Sequence, residues 1–192
     1  VPFGVWGGQG PIERAKEYFP TFYYSLALRC LEMALDGTLD GLSASMITTL
    51  DDTLRPFSQN YKVSAGRKIP MVFLNHGQHR KEDFGKKYNA KIFDNARKEL
   101  ERICDVKITD EALKESFKIY NENRELKRKF IKLAASHPRS IKASDRCYVL
   151  KSGYFMLKEE NNELLKEINA VLESMPSEDW DGVKVVTSGI IT

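Results

Sequence analysis

The sequence predicts an α/β protein: a flavodoxin- or Rossmann-like parallel-sheet lobe, then a helical connector, then the first strand of a second α/β lobe. Two observations carry this. Continuous apolar runs such as IPMVFL (Ile69 to Leu74) alternate with single helical stretches in the first 80 residues. Strands buried on both faces read as unbroken apolar runs, and a helix between consecutive strands makes a right-handed crossover the expected connection. From Phe84 onward the apolar residues recur instead at helical spacing, as far as Met175.

The elements follow in order. Pro2 to Trp6 reads as a short buried strand, broken into a loop by Gly7-Gly8-Gln9-Gly10-Pro11. Pro20 suits the start of a helix, because its missing N–H needs no partner there. The segment FYYSLALRCLEMAL, Phe22 to Leu35, predicts a well-buried helix ended by Asp36-Gly37. Leu42 to Thr48 is a second strand, Asp51 to Tyr61 a polar helix, and Ile69 to Leu74 a third strand. A helix from Phe84 to Cys104 carries Ile92, Ala96 and Leu100 on one stripe. Thr109 is a good N-cap, with Asp110 and Glu111 at the positive end of the helix that follows. That helix places Leu113, Phe117 and Tyr120 on one face and runs to Ala135, where His137-Pro138 stops it. Two more helices are expected over Ser144 to Phe155 and Lys158 to Leu172. Then come a linker at Met175-Pro176-Ser177 and a strand at Val183-Lys184-Val185-Val186. The organisation is therefore an incomplete first lobe over 1–80, a connector over 81–176 and the start of a second lobe over 177–192.

Composition narrows the function classes. The chain is 42% hydrophobic and 30% charged, as soluble globular proteins are. A net charge of +3 is too small an excess to imply nucleic acid as a partner. No apolar run approaches the ~20 residues of a membrane helix, and no signal peptide opens the chain, so a cytoplasmic protein is expected. Cys30, Cys104 and Cys147 are far apart, a spacing that supports neither a zinc site nor a disulfide framework. The start at Val1-Pro2 and the apolar ending, Val183 to Thr192, suggest a stretch of a longer protein.

The candidate ligand site is the loop Trp6, Gly7, Gly8 and Gln9. It follows a predicted strand, where open α/β sheets place their ligands, and its glycines let a phosphate or thioester approach the backbone. It matches neither the GxGxxG fingerprint nor the P-loop, and a plain tight turn is the alternative. His76 and His79 lie three apart after the third strand, but no acid or thiol is spaced to complete a metal set, so they read as strand-end polar residues. Arg80-Lys81 reads as a solvated face. Tyr148, Tyr154, Phe155 and Met156 read as an aromatic core patch on a helix.

Longer phrases carry a resemblance. PFGVWGGQG, AKEYFPTFYYSLALRCLEMALDGTLDGLSASM, TLDDTLRPFSQNYK and SGYFMLKEENNELL, in this order, resemble the 2-hydroxyacyl-CoA dehydratase and benzoyl-CoA reductase family over nearly the entire chain. SLALRCLEMALDG resembles the β-type subunits of its 2-hydroxyglutaryl-CoA branch. The resemblance implies a lyase subunit with flavodoxin-like domains, acting in an oxygen-sensitive heterodimer with an α subunit. Its substrate would be an acyl-CoA, with (R)-2-hydroxyglutaryl-CoA dehydrated to glutaconyl-CoA through a ketyl radical. The resemblance further implies a [4Fe–4S] cluster that would lie between the domains and an ATP-hydrolysing iron–sulfur activator that would inject one electron.

The sequence departs from the family pattern at the cluster. Family members that hold one have cysteines at the positions occupied here by Tyr24 and Asp51. Neither offers the soft thiolate that cluster iron prefers. The expectation is therefore a subunit with no cluster ligands at these two positions. It would complete the pocket, contact CoA, or hold a flavin such as FMN, while its partner carries the cluster. A benzoyl-CoA-reductase-type subunit and a non-catalytic acyl-CoA- or flavin-binding subunit stay open as alternatives.

Overall fold

The computed structural model describes residues 2–183 and 185. The chain divides into two compact units, Val5–Thr109 and Val1–Gly4 with Asp110–Thr192.

The first unit is α/β. Helix α1 (Ser25–Leu35), strand β1 (Ser45–Thr48), helix α2 (Leu54–Ser64), strand β2 (Met71–Leu74) and helix α3 (Asp83–Cys104) follow one another. β1 and β2 pair in parallel, with Ser45 opposite Met71 and Thr48 opposite Leu74, so α2 is the crossover of a βαβ unit. The apolar face of α1 (Leu28, Leu31 and Ala34) packs with Ile47 of β1 and with Phe57 and Tyr61 of α2 in one core. On β2, Val72 and Leu74 are covered by α3 through Ala96, Ile92, Leu100 and Ile103. The sequence pattern set α3 in the connector, and its apolar stripe packs on β2.

The strand expected at Pro2 to Trp6 is not formed. Among the described residues the sheet is β1 and β2 alone, and this segment finds other partners for its backbone. The Cys30 thiol donates to the Val5 carbonyl at 3.7 Å, so this carbonyl finds a partner without a ladder. Helix α1 starts at Ser25, later than Phe22, because Pro20 opens a turn in which its carbonyl accepts from Tyr23 N–H at 3.0 Å. A short 3-10 helix, Arg14–Glu17, precedes that turn. It is held by a buried carboxylate of α1: Glu32 accepts from the N–H groups of Glu13, Arg14 and Ala15 at 3.1, 3.3 and 2.8 Å.

The second unit contains helices α4 (Asp110–Ala135), α5 (Ala143–Ser152) and α6 (Lys158–Ser174). Asn162 donates to the Ile119 carbonyl, Asn169 to that of Leu126, and Lys129 to Glu173, so α4 and α6 run side by side in the same direction. Phe130 and Ala134 pack there with Leu165 and Leu172. Asn123 adds a buried polar tie, donating to Asn161 and Asn162 at 2.8 Å each. Because α6 first meets α4 near Ile119, the earlier turns of α4 lie beyond it. The predicted face of Leu113 and Phe117 is therefore exposed instead of buried. Tyr148, Tyr154 and Phe155 are exposed too, and α5 ends at Ser152, so they do not form the expected core patch on one helix. The strand expected at Val183 to Val186 falls partly outside the described residues, as does half of the stretch 177–192 expected to begin the second lobe. Among the described residues, no helix is long and apolar enough to cross a membrane.

Candidate functional site

The βαβ unit opens a cleft at the carboxyl ends of its strands, the edge where open α/β sheets bind ligands. It is an open groove of about 350 Å³, lined by Thr49, Arg55, Pro56, Gln59, Phe73 and Asn75. Each lining residue is placed by the crossover. Thr49 directly follows β1 and Asn75 directly follows β2, while Arg55 and Gln59 lie one turn apart in the first half of α2. Thr49 N–H donates to the Leu74 carbonyl at 3.1 Å, continuing the ladder one residue past the strands and fixing the floor. The Asn75 amide donates to the Tyr88 hydroxyl at 3.0 Å, which ties the rim to α3. Arg55 is exposed, and no carboxylate pairs with its guanidinium among the described residues. A planar guanidinium in the first turn of a helix suits a carboxylate or phosphate, since the positive end of the helix adds to its charge.

The starts of α1 and α2 meet beside this unit. The Tyr23 hydroxyl donates to the Thr53 carbonyl, and Phe19 stacks on Tyr23 with ring centroids 4.2 Å apart. Asp51 accepts from Thr53 N–H at 2.7 Å, and the Thr53 hydroxyl and N–H hold its carboxyl below the ordinary range. Burial, then the Asp51 charge, pushes the Tyr23 phenol up. Tyr24 precedes α1 with its ring partly exposed. The two positions marked by the resemblance, 24 and 51, thus adjoin one hydrogen bond, between their neighbours Tyr23 and Thr53.

These positions do not fit a [4Fe–4S] cluster, because they carry a phenol and a carboxylate instead of thiolates. Cys30 does not replace them. It faces Val5, and burial pushes its thiol up, away from the thiolate form, despite the Gly7 N–H and the Arg29 charge. Cys104 ends α3 and Cys147 lies in α5. Among the described residues, no three His, Cys, Asp or Glu side chains stand together as a metal site. His76 and His79 are separated in their contacts: His76 meets Phe93 edge-on, and His79 lies 3.6 Å from Glu82.

The predicted loop lies elsewhere in the unit. Gly7 has φ +67°, and a Cβ there would come within 2.8 Å of the Leu26 side chain, so glycine is required for the loop to lie against α1. Arg29 of α1 donates to the Pro11 carbonyl at 3.0 Å. Gly8 and Gln9 are exposed, Trp6 and Gly7 half-buried. None of Trp6, Gly7, Gly8 and Gln9 lines the strand-end cleft, and with no strand before it the loop loses its strand-end place. The cleft residues were missed because they are scattered over 27 positions; the signal available was the residue after each strand.

Comparison with known proteins agrees with the phrases in the sequence. A family model described as 2-hydroxyglutaryl-CoA dehydratase, D-component, matches residues 1–192. The chain is 47% identical over its whole length to the (R)-2-hydroxyglutaryl-CoA dehydratase subunit beta of Acidaminococcus fermentans, covering 51% of that protein. It is 37% identical over its whole length to the lactoyl-CoA dehydratase subunit beta of Anaerotignum propionicum, covering 50%. Over 98% of its length it is 25% identical to a benzoyl-CoA reductase subunit of Thauera aromatica, covering 49%. The chain spans about half the length of the curated relatives it matches. With the match running over every residue, the chain belongs to the 2-hydroxyglutaryl-CoA dehydratase D-component family.

Proposed function

We propose that this chain works as a β-type subunit of a 2-hydroxyacyl-CoA dehydratase. With an α-type partner it would eliminate water from (R)-2-hydroxyglutaryl-CoA to give glutaconyl-CoA. The observation that carries the reading is the 47% identity over the full chain to a β subunit named for that substrate, against 37% to one named for lactoyl-CoA. The cleft adds a physical reason. 2-Hydroxyglutaryl-CoA has a free carboxylate on its acyl chain that lactoyl-CoA lacks, and Arg55 presents an unpaired guanidinium to receive it.

In this reading the chain binds and orients; the redox chemistry belongs to the other components. The [4Fe–4S] cluster sits on the partner subunit and is charged by an ATP-hydrolysing iron–sulfur activator, because Tyr24 and Asp51 offer it no thiolate. Flavodoxin-like packing of the whole first lobe, a cytoplasmic location and an acyl-CoA contact by the Trp6 to Gln9 loop belong to the same proposal. The loop's support is its exposed Gln9 and the bare backbone at Gly8. A reductase-type role is the second reading, resting on the weaker match to the benzoyl-CoA reductase subunit.

The test is an anaerobic assay of the full subunit, produced together with its partner and activator. The substrates are (R)-2-hydroxyglutaryl-CoA, lactoyl-CoA and benzoyl-CoA. Turnover of the first above the second supports the reading. Preference for lactoyl-CoA would remove the role given to Arg55, and reduction of benzoyl-CoA would replace the dehydratase reading itself.

A further inference from the structure

Two ammonium groups converge in the second unit with no counter-charge beside them among the described residues. Lys127 of α4 and Lys158 at the start of α6 lie 5.3 and 5.4 Å from the centroid of the Tyr154 ring. Lys158 is also 5.2 Å from that of Tyr120. Both ammonium nitrogens would stand 3.1 Å from a Cβ at Gly153, so the bare backbone of that glycine is where they meet. Among the described residues neither is within 4.0 Å of a carboxylate. The neighbouring acids of α6, Glu159 and Glu160, line a separate cleft with Ile119, Glu122, Asn162 and Glu163.

What the lysines do touch compensates them only in part. Lys127 donates to the Leu150 carbonyl at 2.8 Å and Lys158 to the Gly153 carbonyl, both at the end of α5. A helix end carries the equivalent of about half a negative charge, against two full positive ones. Each ammonium has three N–H groups and spends one on a carbonyl. Burial, and then the nearby positive charge, pushes both lysines below the ordinary range: Lys158 acts on Lys127, and Arg124 on Lys158. Like charges gathered in a half-buried place are costly unless an anion joins them.

We propose that Lys127 and Lys158, above the Tyr154 ring, form a seat for a phosphate-type anion. The 3′-phosphate or pyrophosphate of CoA and free pyrophosphate share this chemistry. The seat does not depend on the dehydratase reading, and its binding is measurable without turnover.

The experiment is calorimetric titration of the full chain with pyrophosphate, CoA and dephospho-CoA, repeated on Lys158→Gln and Lys158→Arg. Wild type should bind pyrophosphate or CoA, Lys158→Gln roughly tenfold or more weakly, and Lys158→Arg close to wild type. CoA bound more tightly than dephospho-CoA identifies the 3′-phosphate; equal binding identifies the pyrophosphate; pyrophosphate binding alone identifies a free anion. Lys127→Gln is a second variant, expected to weaken binding in the same way. Circular dichroism establishes that each variant is folded. No binding of any probe to wild type, or equal binding by wild type and a folded Lys158→Gln, would overturn the proposal.

Discussion

The Tyr23 hydroxyl donates to the Thr53 carbonyl, and this bond joins the residue before position 24 to the turn that begins at position 51. It fixes the spacing between the starts of α1 and α2, on either side of the loop that leads from β1 into the strand-end cleft. Replacing Tyr23 by Phe keeps the stacking on Phe19 and removes only the bond. A loss of about 1 kcal/mol in urea-unfolding stability is expected. Unchanged stability would mean that the aromatic stack alone sets the spacing.

Glu32 gives a pH-dependent prediction. Burial opposes its ionisation, but the N–H groups of Ala15, Arg14 and Glu13 outweigh it and hold the carboxyl below its ordinary value. A carboxylate depressed in the folded state stabilises above its unfolded value, about pH 4.3, and loses that contribution as pH falls below it. Glu32→Gln should therefore cost about 1–3 kcal/mol at pH 7, and the difference from wild type should shrink toward pH 3. Urea unfolding at the two pH values measures both.

The long helices were legible in the sequence, and the site was not. α3 and α4 fall within one or two residues of expectation because their apolar residues recur every three or four positions over many turns, a signal that averages out local noise. Pro2 to Trp6 misled because a short apolar run looks alike whether it pairs in a sheet or lies against other parts of the chain. The face of Leu113 and Phe117 misled because periodicity says that a helix is two-sided and nothing about how far its neighbour extends. Arg55, Gln59 and Asn75 meet only through the parallel register of β1 and β2, which no local pattern encodes. The family itself was legible, since long phrases survive where single motifs do not.

Arg55 makes the substrate preference testable. Arg55→Gln in the assembled enzyme is expected to raise KM for (R)-2-hydroxyglutaryl-CoA by roughly tenfold or more, the worth of a charge-assisted pair, with a smaller effect on lactoyl-CoA. Arg55→Lys should recover part of the loss as a point charge without the planar fork. Equal effects on both substrates would assign Arg55 to the CoA portion they share.

The loop makes a separate prediction. If the exposed Gln9 faces the acyl-CoA, Gln9→Ala changes KM or kcat at unchanged stability, because its side chain supports none of the packing against α1. An enzyme with both constants unaltered would remove the loop from the site.

The measurement that tests the account most directly is anaerobic iron analysis of this subunit, alone and then purified together with its partner. The expected result is iron in the pair and little in the isolated subunit, because positions 24 and 51 carry Tyr24 and Asp51 in place of thiolates. About four iron atoms per chain in the isolated full-length subunit would contradict it, and would mean that cysteines other than those expected at positions 24 and 51 hold a cluster.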